Sequence, residues 1–163
     1  MENIVICNSV GVDRDGNYIV HSPSRWSFSM KNYDDVFTYY PWELCYTSSL
    51  LKQRTSHRVK FIDPCLDKLD SEETVRRILN ESPTVLLIEP SSRTFLEDMS
   101  VAREVKARLG TRLVMAGQHA SAFAEELSRE VDWVLIGEYE ESLLDILSGK
   151  ERRQIPGLYP NAR

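Results

Sequence analysis

Basic residues are not concentrated anywhere in this sequence. Its 163 residues include 20 Lys and Arg against 25 Asp and Glu, which gives a formal net charge of −5, and the two signs are interspersed. Proteins that bind nucleic acid usually cluster positive charge on one face. Nucleic acid is therefore not an expected partner.

Long apolar runs are also lacking. A helix that spans a bilayer needs about 20 predominantly apolar residues, and no stretch of the chain approaches that length. The first six residues form a short apolar run without the basic flank or the small-residue cleavage site of a secretory signal. We expect a cytoplasmic protein with no membrane partner.

Cysteine is scarce. Cys7, Cys45 and Cys65 are odd in number and far apart, so they form neither a disulfide framework nor a CxxC pair. They are predicted to pack as small buried hydrophobic residues. The CxxxCxxC motif that would hold an iron–sulfur cluster is absent from the sequence.

Familiar catalytic and nucleotide-binding motifs are missing as well. The sequence has no GxGxxG after a strand, no GxxxxGK[ST] phosphate loop, no nucleophile-elbow serine and no His/Cys group with metal-ligand spacing. A phosphorylation receiver of similar topology would end its third strand with aspartate and its fifth with lysine, whereas this chain has Glu89 and Gly137 there. Catalysis by this chain alone is not predicted.

What the sequence does contain is five short runs rich in β-branched and aliphatic residues, each too short for a helix. These predicted strands are residues 3–8, 58–62, 84–88, 112–116 and 132–136. Stretches of helical length lie between the last four runs, an alternation that predicts a doubly wound α/β domain with a parallel sheet. Five strands favour the flavodoxin-like order 2-1-3-4-5 over the dinucleotide-binding Rossmann order, which normally needs six.

Helix boundaries are predicted from capping residues and apolar stripes. The first helix is expected to begin near Pro41 and the second after the cap Asp70. The third has Val101 and Leu109 in its apolar stripe and ends at Gly110. The fourth opens at Ser121, and the fifth runs from Glu138 to its stop at Gly149.

The first crossover is unusually long, because about thirty residues, 9–40, separate the first strand from the first helix. This segment is rich in aromatic residues, among them Trp26, Tyr33 and Phe37. It is predicted to fold back as a lid or to meet a partner. Residues 17–20 follow a turn dipeptide and are candidates for a short extra strand.

Ligands of open α/β sheets bind outside the carboxyl ends of the strands, near the point where strand order reverses. Candidate ligand-binding residues at that edge are Ser9, Ser91, Ser92, Thr94, Gly117, Gln118, His119, Gly137, Glu138 and Tyr139. Bare backbone and hydroxyls before a helix suit an anionic or amide-bearing ligand. Structural roles are equally open: Gly117 as a turn, Ser92 or Thr94 as helix caps, and the acidic residues after Gly137 as partners of a helix dipole.

Four segments in order resemble one known family. They are YPWEL with HRVKFID at 40–63, similar to "YPPLGL…GHEVxxxD"; GQHAS at 117–121, similar to "GGPHA"; VDWVLIGEYEESL at 131–143, similar to "VDyVvxGEGEeTL"; and IPGLY at 155–159, similar to "I-x-G-L-x-Y". From about residue 40 to its end, the chain resembles the cobalamin-binding-like N-terminal domain of radical-SAM enzymes, a class that includes methyltransferases.

The resemblance implies a metal-binding cofactor module at residues 1–150 and a linker-like tail at 151–163 that would lead to a radical-SAM catalytic barrel, in cis or in trans. The corrin would carry a methyl group, and S-adenosylmethionine and the iron–sulfur cluster would belong to the barrel. Implied contacts are Ser91, Ser92 and Thr94 with corrin amides, and Gly117, Gln118 and Gly137 with the nucleotide tail.

The chain departs from the family pattern where Gln118 and Tyr139 replace glycines. It also lacks the DxHxxG motif whose histidine ligates cobalt in another branch, so cobalamin would be bound without a protein histidine. The alternative is a degenerate domain that keeps the fold and serves as a protein-interaction or scaffold domain. A cleft filled by Gln118 and Tyr139 would favour that alternative. A third, weaker possibility is a nucleotide-binding flavodoxin-like protein.

Overall fold

Parallel strands and covering helices make up most of the described chain. The computed structural model describes residues 1–21, 27–32 and 39–161. In chain order the elements are β1 (Asn3–Cys7), β2 (Tyr18–His21), β3 (Ser27–Met30), α1 (Trp42–Arg54), β4 (Arg58–Ile62), α2 (Pro64–Asp67), α3 (Ser71–Glu81), β5 (Val85–Ile88), α4 (Phe95–Leu109), β6 (Arg112–Met115), α5 (Gly117–Ala122), α6 (Ala124–Leu127), β7 (Trp133–Val134), α7 (Glu140–Leu147) and a short 3-10 helix (Arg152–Gln154).

The main sheet has five strands in the order β4-β1-β5-β6-β7, all parallel. Each of the five predicted runs contains one of these strands, and their order is the predicted 2-1-3-4-5. In the register, Ile4 lies between Val59 of β4 and Val85 of β5. The architecture is compatible with a flavodoxin-like fold.

The central strands are buried on both faces, which explains their continuous apolar sequences. One core contains Val5 of β1 and Leu86 of β5 and is covered by α3 and α4. The other contains Ile4 and Leu87 and is covered by α1 and α7. Successive residues of each strand point to opposite faces, so each strand contributes to both cores.

Several predicted helix boundaries are confirmed. The start of α1 agrees with the prediction, since the helix begins at Trp42 with Pro41 as its N-cap. Asp70 caps α3, because its side chain accepts a hydrogen bond from the backbone N–H of Glu73 at 2.8 Å. Gly110 ends α4 with φ +68°, and Gly149 follows α7 with φ +80°. Both glycines adopt the left-handed conformation common after helices.

Other predicted boundaries are wrong. Ser121 does not open a helix, since α5 already begins at Gly117 and the Ser121 hydroxyl donates to the Gly117 carbonyl at 2.8 Å. The last helix begins at Glu140, two residues after Glu138. Leu109 is 43% exposed, because the packed face of α4 ends before the exposed residues 107–110.

The long first crossover contains the hairpin β2–β3, in which Tyr18 pairs with Met30. This confirms the predicted extra strand near residues 17–20. Asp13 anchors the hairpin, because its carboxylate accepts hydrogen bonds from the backbone N–H of Asn17 at 2.9 Å and the Ser29 hydroxyl at 2.8 Å. The aromatic residues Trp26, Tyr33 and Phe37 lie outside the described residues.

Residues 155–159 lie against the end of β7. Leu158 forms an antiparallel bridge with Leu135, and Ile136 donates its backbone N–H to the Gly157 carbonyl at 2.8 Å. Ile155 and Leu158 are buried in the same core as α1 and α7. The division of the chain at residue 150 stays a prediction.

In the described part of the chain, none of the helices combines the length and apolarity that crossing a bilayer requires.

Candidate functional site

A cleft of about 910 Å³ opens at the carboxyl edge of the sheet. Its walls are α1, the β6–α5 junction and the segment between β7 and α7. The lining residues are Trp42, Glu43, Tyr46, Leu50, Glu89, Gly117, Gln118, Ser121, Ala122, Gly137, Glu138, Tyr139, Glu140 and Glu141. This volume lies toward the upper end of the range for small-molecule sites.

Gly117 and Glu89 meet at this edge. Gly117 follows β6 with φ +86°, a conformation that favours glycine. A Cβ atom there would lie only 2.4 Å from Cγ and 2.5 Å from Oε1 of Glu89. Glu89 follows β5 and is only 3% exposed. The glycine therefore gives the Glu89 carboxyl group the space that it occupies.

Tyr139 holds the same carboxyl group from another side. Its hydroxyl donates a hydrogen bond to Oε2 of Glu89 at 3.1 Å, and the residue is 3% exposed. Gln118, by contrast, is exposed. Both residues line the cleft, whose volume of about 910 Å³ is measured with their side chains in place.

Ser121 joins the two segments that line the cleft. Its hydroxyl oxygen donates to the Gly117 carbonyl at 2.8 Å and accepts from the backbone N–H of Gly137 at 3.0 Å. Gly137 has φ +70°, and a Cβ atom there would meet nothing within 4 Å. Backbone at Gly137 is thus accessible from the cleft.

The cleft is acidic and partly aromatic. Five lining residues are glutamates, at positions 43, 89, 138, 140 and 141, and no lining residue among those described is Lys, Arg or His. Arg54 reaches Glu141 at 2.7 Å in an exposed ion pair. Trp42 and Tyr46 on α1 are 56% and 55% exposed. Such a surface repels anions and can bind groups that donate hydrogen bonds.

Five of the ten predicted site residues line this cleft: Gly117, Gln118, Gly137, Glu138 and Tyr139. Ser9, Ser91 and Thr94 are buried elsewhere. The Ser91 hydroxyl lies 2.8 Å from that of Ser27 on β3 and 2.9 Å from that of Thr94, and the Ser9 hydroxyl donates to the Glu89 carbonyl at 3.1 Å. The hairpin therefore covers this half of the sheet edge.

Ser92 and His119 form a separate pair outside the lining of the cleft. The Ser92 hydroxyl lies 3.0 Å from Nδ1 of His119. The imidazole lies between the rings of Phe95 and Phe123, with centroid distances of 4.6 and 4.7 Å. Burial lowers the pKa of His119, which favours its neutral form.

Some cleft residues were missed by sequence reasoning. Trp42, Glu43 and Tyr46 belong to a helix whose start was predicted but whose cleft-facing side was not. Glu89, by contrast, was placed at this edge as the first residue after the third strand, although its burial was not predicted. The three cysteines are absent from the lining, and burial raises the pKa of the Cys7 thiol. Within the described ranges, no group of three or more His, Cys, Asp or Glu side chains is arranged to hold a metal ion.

Comparison of the chain with protein-family models, curated proteins and solved structures finds no match.

Proposed function

We propose that this chain is a cobalamin-binding module that holds the corrin for a radical-SAM catalytic domain. The observation that carries the proposal is the lining of the cleft. Much of the family resemblance lies in the segments 117–121 and 137–141. The two segments come together at the carboxyl edge of the sheet, and residues of both line the same cleft. Ligands of this architecture bind at that edge.

The chemistry of the lining fits an amide-rich cofactor. Amide N–H groups of the corrin periphery need acceptors, which the exposed side chains of Gln118 and Glu138 supply from the rim. Bare backbone at Gly137 allows close approach of the ligand. Ser91 and Thr94 are buried outside the cleft lining, and their hydroxyl oxygens lie 2.9 Å apart, so their implied contacts with corrin amides stay predictions. When bound, the cofactor would supply a cobalt centre that carries a methyl group.

A partner domain belongs to the proposal. The cleft is open to solvent, and a corrin bound in it would keep an exposed side. A catalytic barrel, joined in cis or associated in trans, would cover that side and would hold S-adenosylmethionine and the iron–sulfur cluster. In this account the chain binds and orients the cofactor, and the barrel performs the chemistry.

A binding experiment with a blocked cleft tests the proposal. Wild type, Ala122→Trp and Ala107→Trp are each mixed with hydroxocobalamin, desalted and examined by visible absorption. Ala122 lines the cleft, whereas Ala107 lies on the exposed surface of α4. We expect wild type and Ala107→Trp to retain the corrin and Ala122→Trp to lose it. Failure of wild type to bind hydroxocobalamin at high micromolar concentration, or equal retention by all three, contradicts the proposal.

The protein-interaction alternative is supported by one observation of its own. Trp42 and Tyr46 are more than half exposed on neighbouring turns of α1, and exposed aromatic residues are enriched at binding surfaces. This alternative predicts that no cobalamin is retained. It also predicts that replacing both residues with alanine weakens association with a partner polypeptide without lowering the stability of the chain.

A further inference from the structure

A serine and a histidine meet at the sheet edge outside the cleft. Ser92 lies in the loop after β5, and His119 lies in the first turn of α5, which follows β6. Because β5 and β6 are neighbours in the sheet, residues that are 27 positions apart come together. The Ser92 hydroxyl lies 3.0 Å from Nδ1 of His119. This distance allows a base to take the proton of a nucleophile.

Two phenyl rings hold the imidazole in place. Phe95 and Phe123 flank it with centroid distances of 4.6 and 4.7 Å. Nε2 is buried and has no hydrogen-bond partner among the described residues. Burial lowers the pKa of His119, so the ring is neutral at pH 7. A neutral imidazole with its proton on Nε2 leaves Nδ1 as an acceptor for the serine proton.

Ser92 is open to reagents from solvent. The residue is exposed, and so is its hydrogen bond to His119. Phe123, which contacts the imidazole, is 46% exposed and gives the pair an apolar neighbour at the surface. Ser92 also precedes α4, a helix of 15 residues that begins at Phe95. Negative charge that develops near the N-terminus of a helix is stabilised by the helix dipole.

We propose that Ser92 is a nucleophile for activated esters with an apolar acyl group and that His119 is its general base. Oγ of Ser92 forms a bond to the ester carbonyl carbon while the hydroxyl proton moves to Nδ1 of His119. The bond from that carbon to the leaving oxygen breaks, and the proton passes from Nδ1 to the leaving group. The product is an acyl-serine. The inference does not depend on cobalamin binding, because neither residue lines the cleft.

Two reagents report on this serine. p-Nitrophenyl butyrate is an activated ester whose acyl transfer releases p-nitrophenolate, and phenylmethanesulfonyl fluoride leaves a stable sulfonyl group that peptide mapping locates. Each is added to wild type, Ser92→Ala, His119→Gln and the matched control Ser100→Ala, which changes an exposed serine on α4. Urea unfolding of each variant shows whether its fold is intact.

We expect wild type and Ser100→Ala to release p-nitrophenolate at the same rate. Ser92→Ala and His119→Gln should be slower by about tenfold or more, since general base catalysis typically contributes about 100-fold or more. Sulfonylation should occur at Ser92 and be slowed similarly by His119→Gln. Equal release by all four proteins, or sulfonylation of Ser92 no faster than that of Ser100, overturns the inference. Full release by Ser92→Ala also overturns it, because His119 would then be the acylated group.

The pH dependence of sulfonylation tests the role of His119 without a substitution. The rate at Ser92 in wild type should follow the fraction of neutral imidazole and level off above about pH 7, because the pKa of His119 lies below its ordinary value of 6.5. A rate that keeps rising by about tenfold per pH unit up to about pH 9 would mean that the serine alkoxide reacts unaided. That result contradicts the inference, and the measurement decides the question if His119→Gln does not fold.

Discussion

At Gly117 the backbone conformation and the packing both require the same residue. Its φ of +86° favours glycine, and a Cβ atom would overlap the carboxyl group of Glu89. Gly110 has a similar φ of +68° but has nothing within 4 Å of its Cβ position. Replacing each glycine with alanine therefore distinguishes two contributions to the loss of stability. Gly110 gives the cost of the left-handed backbone alone, and Gly117 adds the cost of steric overlap.

We predict that Gly117→Ala destabilises the chain by about 2–4 kcal/mol, and Gly110→Ala by about 1 kcal/mol, the cost of the left-handed conformation alone. Urea unfolding of both variants measures the difference. Equal losses would mean that Glu89 moves aside at little cost and that its position is not fixed by Gly117.

His119 provides a pH dependence whose sign follows from its burial. Burial lowers the pKa of the folded imidazole below the ordinary value of 6.5, so the unfolded chain takes up the proton first. Stability is then lost as the pH falls below about 6.5, until the folded form is also protonated. Asp132 titrates at lower pH. Burial raises the pKa of its carboxyl group, but hydrogen bonds from Lys106 and Leu113 outweigh burial and hold the pKa below the ordinary value of 3.8.

We predict that wild type loses more stability than His119→Gln between pH 7.5 and pH 5. Glutamine keeps a polar group near Ser92 but does not titrate. Chemical denaturation at the two pH values gives the comparison, and the difference between the proteins removes contributions from other titrating groups. A loss of the same size in both proteins would show that His119 is protonated in the folded chain as easily as in the unfolded one.

Residue-level prediction from the sequence was good where one residue type has a strong local preference. Asp70 and Gly110 were correctly placed because capping depends on neighbours in the chain. Glu89 is buried and accepts a hydrogen bond from Tyr139, which lies 50 positions further along the chain. No local pattern encodes such a contact, and a charged side chain is ordinarily expected at the surface.

Among the elements, the β2–β3 hairpin changes the site most. It contacts the β5–α4 loop through the hydroxyls of Ser27 and Ser91, and Arg93 donates to the Ser29 hydroxyl at 2.7 Å.

Burial raises the pKa of Asp13, but hydrogen bonds from Asn17 and Ser29 outweigh this effect and hold the pKa below 3.8. The Asp13 carboxylate thus stays charged at neutral pH and ties the hairpin together.

We predict that Asp13→Ala loosens the hairpin and leaves the main sheet intact. Hydrogen exchange should accelerate by about tenfold at Val20, which pairs with Phe28 across the hairpin, while exchange in β1 and β5 is little changed. Asp15→Ala is the control, since Asp15 is exposed. Unchanged exchange at Val20 in Asp13→Ala would show that other contacts hold the hairpin.

The segment 155–159 acts as part of the packed sheet edge. Leu158 is fully buried, whereas Leu109 at the end of α4 is 43% exposed. We predict that Leu158→Ala costs about 2–4 kcal/mol and Leu109→Ala less than about 1 kcal/mol. Urea midpoints of the two variants provide the measurement. A negligible cost for Leu158→Ala would show that the tail is separable from the domain, as a simple linker would be.

The element predictions succeeded where hydrophobic periodicity is strong and failed where pairing or packing between distant segments decides the boundary. The run 132–136 yields only a two-residue strand, Trp133–Val134, and the following residues Leu135 and Ile136 pair with the tail. Similarly, residues 117–127 form two short helices instead of one, because the helical conformation is interrupted at Phe123.

On the scale of the whole molecule, the alternation of strands and helices was sufficient to predict the strand order, and with it the edge at which other open α/β sheets bind their ligands. It was not sufficient to predict which half of that edge is open. The hairpin contacts Ser91 through Ser27, whereas α1 forms one wall of the cleft that contains Gly117 and Gly137. That division depends on how a long crossover folds back, which neighbouring residues in the chain do not determine.

Binding of cobalamin in this cleft can be observed residue by residue in a two-dimensional amide NMR titration of the chain with hydroxocobalamin. If the proposed function is right, we expect saturable shifts at Gly117, Gln118, Gly137 and Glu138, with little change at Ile19 in the hairpin. Absence of saturable shifts, or shifts confined to the hairpin and the β5–α4 loop, would contradict the proposed function.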